Sequence, residues 1–316
     1  MIIRQAESKD IPEIVQVLKL SLGEMDLPLS QDIWNYKHIK NPFGESLVLI
    51  GLEDGIIVGV RAFMCWRWNK HDLRYNAFRA VDTATHPKYQ GRGVFKKLTL
   101  AAIDLARTNG DHFIFNTPND QSRPGYLKMG WKPLNKLKVA LKPALISFWK
   151  IYGFSTSYTS HINSTDAQLN NLCYSWNKSL GSKTTIFTPK SLEYLKWRYL
   201  ENPLQKYEIF ADDSIFMSGY IKKRKGIREL RISECIFLEN SDSNLIIAKV
   251  IRKWSLKFGA QIISYSPEFL SLNFTVINAN IGPILTFKDL NLENRENSLF
   301  KEISNWSYSL GDLELF

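Results

Sequence analysis

Apolar residues recur along this chain in two rhythms, short runs of strand length and longer stretches at helical spacing. Ile2-Ile3 opens a strand at once. Leu47 to Ile50 is an unbroken apolar run, Asp54-Gly55 supplies a hairpin turn, and Ile56 to Met64 resumes the ladder. The strand through Val81 must end near His86, because Pro87 lacks a backbone donor and pushes the residue before it into extended geometry. Val94, Phe95, Leu98, Ala101, Ala102 and Leu105 then share one helical face. Asn109-Gly110 stops that helix with a left-handed cap, and His112 to Phe115 reads as a buried strand.

The same landmarks return in the second half. Tyr36-Lys37-His38-Ile39-Lys40-Asn41-Pro42 is echoed by Trp197-Arg198-Tyr199-Leu200-Glu201-Asn202-Pro203, each closing a helix-like stretch. Both lead into a strand and a hairpin, the second running from Tyr207 to Phe210, turning at Asp212-Asp213 and resuming at Ile215 to Ile221. Ala106 to Gly110 is matched by Ser255 to Gly259 before the strand Gln261 to Tyr265. Three likenesses in one order indicate a tandem duplication. The copies differ at one place: Gln90-Gly91-Arg92-Gly93 interrupts the first, and the second reads Glu239-Asn240-Ser241-Asp242-Ser243.

Gly91 and Gly93 allow backbone angles closed to other residues and let a ligand approach the main chain. The helix that follows offers unpaired N–H groups at its positive end, with Arg92, Lys96 and Lys97 beside them, which suits pyrophosphate. No Gly-Lys-Ser/Thr follows, so this is not a Walker loop, and the dinucleotide pattern Gly-x-Gly-x-x-Gly is missing too. The carboxylates of the second copy would repel a phosphate at the equivalent place.

With Asn119-x-x-Ser122-x-x-x-Tyr126-x-x-x-Gly130-Trp131 following in register, the segment resembles the GNAT (Gcn5-related N-acetyltransferase) superfamily and its acetyl-CoA signature Gln/Arg-x-x-Gly-x-Gly/Ala. Phe95 departs from it, standing where the family carries Gly or Ala. The resemblance implies an α/β (α+β) fold of two tandem GNAT-like domains, each a mixed, largely antiparallel sheet flanked by helices. It implies cofactor contacts from Ala84, Thr85, His86, Gln90, Gly91, Arg92, Gly93, Val94, Phe95, Asn119 and Tyr126. Amides near Ala84 to His86 would polarise the thioester, Asn119 would meet the pantetheine arm, and Tyr126 would give a proton to the departing thiolate. Tyr126 and Asn119 have plainer readings as a packing residue and a helix cap. Asp82 is open to two readings, a general base or a structural hydrogen bond. The tail Trp306 to Phe316 alternates as a strand would, and its carboxylates at Asp312, Glu314 and Phe316 are further candidates for the base.

Composition narrows the setting. Residues 1–150 carry 22 Lys and Arg against 14 Asp and Glu, the remainder 19 against 17, so the excess charge of this +10 chain sits with the glycine turn. The dense run Lys222 to Gly226 has the look of a hairpin turn rather than a nucleic-acid patch. Cys65, Cys173 and Cys235 share no spacing and read as free thiols of a reducing compartment, and neither they nor the histidines suggest a metal. No signal pattern opens the chain and no apolar run reaches membrane length, Ala144 to Trp149 being too short.

The expectation is therefore a cytoplasmic, bacterial enzyme with a catalytic domain at 1–143, a connector at 144–156 and a degenerate domain at 157–316. It would move the acetyl group of acetyl-CoA, without a metal, to a primary amine of a small molecule. Trp34, Tyr36, Trp66 and Trp68 could border the acceptor or fill the core; as a border they suit sugar rings and make an amino sugar of surface polysaccharide the first candidate. A peptide or protein N-acetyltransferase and a non-catalytic acetyl-CoA binder or scaffold are the alternatives. Oligomeric state is left open, a homodimer included.

Overall fold

The computed structural model describes residues 1–22, 30–144, 153–239, 242–270 and 277–313. The first half runs β1 (Ile2–Gln5), α1 (Ile11–Leu22), α2 (Gln31–His38), β2 (Leu47–Glu53), β3 (Ile56–Lys70), β4 (Leu73–Thr85), α3 (Val94–Thr108), β5 (Phe113–Asn116), α4 (Arg123–Lys128), β6 (Lys132–Lys136) and β7 (Val139–Pro143). The second runs β8 (Ser160–Ile162), α5 (Asp166–Gly181), β9 (Ile186–Phe187), α6 (Leu192–Leu195), β10 (Glu208–Ala211), β11 (Ile215–Arg224), β12 (Ile227–Phe237), α7 (Ser243–Phe258), β13 (Ile262–Tyr265) and β14 (Ile277–Ala279). It closes with β15 (Ile284–Asp289), α8 (Asn294–Lys301), β16 (Trp306–Ser307) and α9 (Leu310–Leu313).

Two mixed sheets flanked by helices result. One has the order β1-β2-β3-β4-β5-β15-β6, the other β14-β7-β13-β12-β11-β10-β8. In each, antiparallel hairpins lead to one parallel step across a helix, β4 to β5 over α3 and β12 to β13 over α7. The expected hairpins form with left-handed residues at both turn positions, Asp54-Gly55 and Lys225-Gly226, the geometry that matches strand twist.

The compact units are not consecutive in sequence. One comprises Met1–Trp68, Leu73–Leu134 and Ile284–Glu302, the other Asn69–Asp72, Asn135–Pro283 and Ile303–Phe316. β15 lies antiparallel beside β5, pairing Phe287 with Phe115, and β7 lies between β13 and β14. Each unit thus holds a strand from beyond a division at Pro143 and Ala144, so the continuous boundaries expected at 143 and 157 are not the ones observed. The apolar payload explains the arrangement: Leu285 and Phe287 are wholly buried, with Phe287 against Phe113 and Phe300. The tail also differs from the edge strand expected. Among its described residues only Trp306 and Ser307 pair, in parallel with Ile186 and Phe187, before Leu310 turns into α9.

In the first unit, α3 packs Val94, Leu98, Ala102, Ile103 and Ala106 onto β2 and β4 together with Leu47, Leu49, Phe63, Phe78 and Ala80. Gly59 makes the close approach possible, since a Cβ there would lie 2.4 Å from Val94 and 2.9 Å from Leu98. That approach fixes where the first turn of α3 sits. Phe287→Ala should remove ~3–5 kcal/mol of stability through the cavity it leaves, to be read as an earlier midpoint in denaturant unfolding of the full chain.

Candidate functional site

The glycine turn has the conformation its sequence demands. Gly91 and Gly93 have φ of 76° and 75°, and a Cβ added to either would meet nothing within 4 Å, so main chain faces open space there. Gly93 caps α3, and Gln90 through Gly93 are exposed. Arg92 lies over the Tyr89 ring at 4.9 Å and 3.8 Å from Glu53. Gln90 reaches the Thr85 carbonyl at 3.5 Å. A positive helix end, exposed amides and small residues form a cradle of the right chemistry for a pyrophosphate.

Just upstream, β4 contains a break. Asp82 has φ of 35°, a strained left-handed value for a residue with a side chain. Phe78 and Ala80 face α3, and by alternation Asp82 would follow them; instead its carboxylate reaches α2 on the opposite side. There it accepts from Lys37 Nζ at 2.5 Å and lies 2.8 Å from His38 Nε2. His38 Nδ1 lies 2.8 Å from Ser46 Oγ. Burial works to raise the Asp82 carboxyl, but Lys37 and His38 outweigh it and hold it far below the usual carboxylate range. Burial pushes His38 down against the pull of Asp82, so the ring is neutral and its Nε2–H donates to the carboxylate. Ser46 and His38 line a cavity of about 340 Å³ with Trp34, Ile11 and Glu45.

Pairing of β4 with β5 ends at Arg79 and Phe115, so the two strands part beside the break. At the end of β5, buried Asn116 accepts from the Thr286 hydroxyl through both its carbonyl and its side chain. Exposed Asn119 accepts through Oδ1 from the Ser122 N–H and hydroxyl, the cap reading, which leaves its amide nitrogen pointing from that pair. α4 then carries Tyr126, 3% exposed, whose oxygen accepts from Arg61 Nη1 at 2.8 Å. Phe95 turns inward, its ring edge-on to Tyr126 at 5.7 Å and against Gly125, where a Cβ would come within 3.1 Å. The departure from the family pattern is thus accommodated beside the tyrosine, with glycine opposite.

Other candidates land elsewhere. The His86 amide donates to Val58 and its ring accepts from the Lys88 N–H, so of the three amides weighed for the thioester it is already engaged. Trp34, Tyr36, Trp66 and Trp68 are all at least nine-tenths buried, with Trp66 and Trp68 edge-on to Phe115, which gives them the core-filling role. Asp312 is enclosed in the second unit, accepting from Lys190 at 2.6 Å and from Tyr194 at 3.0 Å. Glu314 and Phe316 lie outside the described residues, as do 145–152 of the expected connector and Asn240-Ser241 of the glycine-turn counterpart. Burial pushes the Cys65 and Cys173 thiols up to about 12. Among the described residues no His, Cys, Asp and Glu group is placed to hold a metal, and no helix is long and apolar enough to cross a membrane.

Sequence spacing passed over Lys37, His38, Ser46 and Arg61, whose partners lie up to 65 residues away. One signal was available: Lys37 and His38 fall three and four residues after Trp34, on the buried face of α2. Both shifts act in one direction with pH. A carboxyl or imidazole depressed on folding stabilises the native state above its unfolded value and loses that contribution as pH falls. Stability should therefore decline as pH drops through about 6.5, from His38, and again below about 4, from Asp82. His38→Gln should abolish the first decline and Asp82→Asn should make the second shallower, leaving the share from Asp10 and Glu229, in thermal unfolding scans across pH.

Residues 2–134 match the family model described as acetyltransferase (GNAT) domain. Among curated proteins, the L-methionine sulfoximine/L-methionine sulfone acetyltransferase of Salmonella typhimurium is 37% identical over 65 residues, 21% of this chain and 36% of that one. Among solved structures, a GCN5-related N-acetyltransferase from Anabaena variabilis superposes with a TM-score of 0.65 at 12% identity, covering 92% of this chain and 73% of its own. Another from Kribbella flavida gives 0.62 at 12% identity, covering 90% and 70%. The fold likeness extends well beyond the matched domain. Over residues 2–134 the chain is thus similar to the GNAT acetyltransferase domain, and beyond them it shares the fold of GNAT structures.

Proposed function

We propose that this protein transfers the acetyl group of acetyl-CoA to the primary amine of a small molecule. One observation carries the reading: the open glycine turn, the parted ends of β4 and β5, and the hydroxyl of Tyr126 occur in a single unit. The pyrophosphate would lie on the amides of Gly91 to Val94, with Arg92, Lys96 and Lys97 drawing in the polyanion. The amides of Ala84 and Thr85 would polarise the thioester, and Asn119 would offer its amide nitrogen to the pantetheine arm. Acetyl-CoA supplies the activated acyl group; the protein's task is to place it and to manage protons.

Tyr126 is the acid of this reading. A phenol near pKa ~10 gives its proton to a thiolate of pKa ~8.5 only with help from its surroundings. Asp82 serves as an anchor rather than a base, since a carboxylate held ionised by two donors has little tendency to take an amine proton. That proton would leave through water.

Trp34, Tyr36, Trp66 and Trp68 are buried, so they do not form the exposed ring-stacking wall that favoured an amino sugar. The amino-acid derivatives named for the Salmonella relative join amino sugars in the screen on equal terms. We also infer a tandem duplication. In both copies the Asn of the Asn-Pro pair is buried and accepts from the amide two residues on, Phe43 for Asn41 and Leu204 for Asn202. Both have an irregularity in the equivalent strand, at Asp82 and between Ser218 and Gly219 opposite Ser233. The second copy has Asp242 capping α7 where the first has Gly93, and so would not take the cofactor.

Calorimetry should find one acetyl-CoA per chain, with Gly93→Glu abolishing the binding; wild-type protein that fails to bind at millimolar cofactor would refute the reading. Tyr126→Phe should cut thiol release with the amine that the screen selects by ~10- to 1000-fold while acetyl-CoA affinity holds. Binding without thiol release for any amine tested would instead assign a cofactor-sensing role.

A further inference from the structure

Arg61 lies on β3 with none of its surface exposed. Its Nη1 donates to Tyr126, whereas Nε and Nη2, also buried, have no hydrogen-bond partner among the described residues. The guanidinium instead lies in an aromatic box, 4.6 Å from the centre of Phe63, 5.2 Å from Tyr126 and 5.7 Å from Phe95. No salt bridge joins it to a carboxylate among the described residues. An enclosed cation with two unmet donors is a cost to the resting protein, which cation–π contacts offset only in part. Such a group gains its full interaction only when negative charge develops beside it, the pattern of a preorganised electrostatic site.

The hydrogen bond also has a direction. Guanidinium has no acceptor, so Nη1 must donate to a lone pair of the Tyr126 oxygen, and the phenol proton is left to point elsewhere. Phe95 and Trp131 crowd the ring from two sides and limit its swing. Resting on the acetyltransferase reading above, we infer that Arg61 is the positioning residue of the Tyr126 acid and the standing counter-charge for the anion that passes through it. As the amine nitrogen bonds to the acyl carbon and the carbon–sulfur bond breaks, the electron pair stays on sulfur, which takes the phenol proton. Charge then rests on the phenol oxygen, against Arg61. The proton lost by the amine returns through water to restore the phenol, so one amine and one acetyl thioester give one amide and one thiol.

The test needs no acceptor. Affinities of the full chain for CoA and for desulfo-CoA, which lacks the sulfur, are compared by calorimetry at pH near 8.5, where part of the free thiol is ionised. Wild-type protein should prefer CoA by roughly 10-fold or more. Arg61→Met and Tyr126→Phe should each bring the ratio close to one, the double variant should lose nothing further, and Arg61→Lys should recover part of the preference. A structural role would weaken both ligands equally in Arg61→Met and leave the ratio untouched, which overturns the inference. So does a wild-type ratio of one. Failure of the wild type to bind either ligand would overturn the acetyltransferase reading itself, and Arg61 with it.

Discussion

Everything at the candidate site depends on one residue that leaves the regular strand path. By alternation Asp82 belongs on the α3 face with Phe78 and Ala80; its left-handed backbone turns it to α2, where Lys37 and His38 clasp it. Backbone strain of this kind costs of order 1–3 kcal/mol and persists only where surroundings over-determine it. Two donors from consecutive residues of one helix do so. With the strand bent, β4 can leave β5 after Arg79, and the chain reaches the glycine turn from a fixed direction. The ion pair is therefore a hinge pin for the whole edge.

The second unit contains a comparable carboxylate with a different fate. Glu234, near the irregularity of β11 and β12, accepts from Lys190 at 2.8 Å and from Tyr199 and Ser309 at 3.0 Å, all enclosed. Burial drives its carboxyl up, while Asp312 and Glu234 hold Lys190 charged despite burial. Lys190 lies between two carboxylates that also accept from Tyr194, Tyr199, Ser309 and the Cys235 amide. Such enclosed ion clusters contribute less to net stability than to the choice of one packing over another. The counterpart in the first unit is half-open, with Ser46 and His38 facing a cavity.

Much of this was legible in the chain. Hairpins at Asp54-Gly55 and Lys225-Gly226, the face of α3 and the cap at Gly110 follow from local stereochemistry, and local stereochemistry is what sequence encodes most directly. The glycine turn and Tyr126 were visible for the same reason, lying within one stretch from Gln90 to Trp131. The Asp82 clasp was not, because its partners arrive from α2 through tertiary packing, nor was Arg61, whose value lies in what surrounds it. Trp34, Trp66 and Trp68 show the converse. Large rings on one face of a strand, as at Trp66 and Trp68, or of a helix, as at Trp34, suit a ligand wall and a core equally, and only burial separates them. The exchange of β7 and β15 left no local trace, since a strand's pattern says that it pairs and not with which neighbour.

The exchanged strands impose an order on synthesis. When residue 134, the last that matches the GNAT domain, has been made, β5 still lacks the strand that covers its edge. At ~5–20 residues per second, roughly 8 to 31 seconds pass before Asp289 follows. Through that interval the nascent sheet presents Phe113 to Asn116 as a bare edge, the kind of surface to which stray strands add. β7, by contrast, is waiting before β13 is made. The second unit waits in turn for β16 and α9, which follow β15, and a chain lacking residues 284–289 would keep an open edge at β5 rather than form a smaller closed sheet.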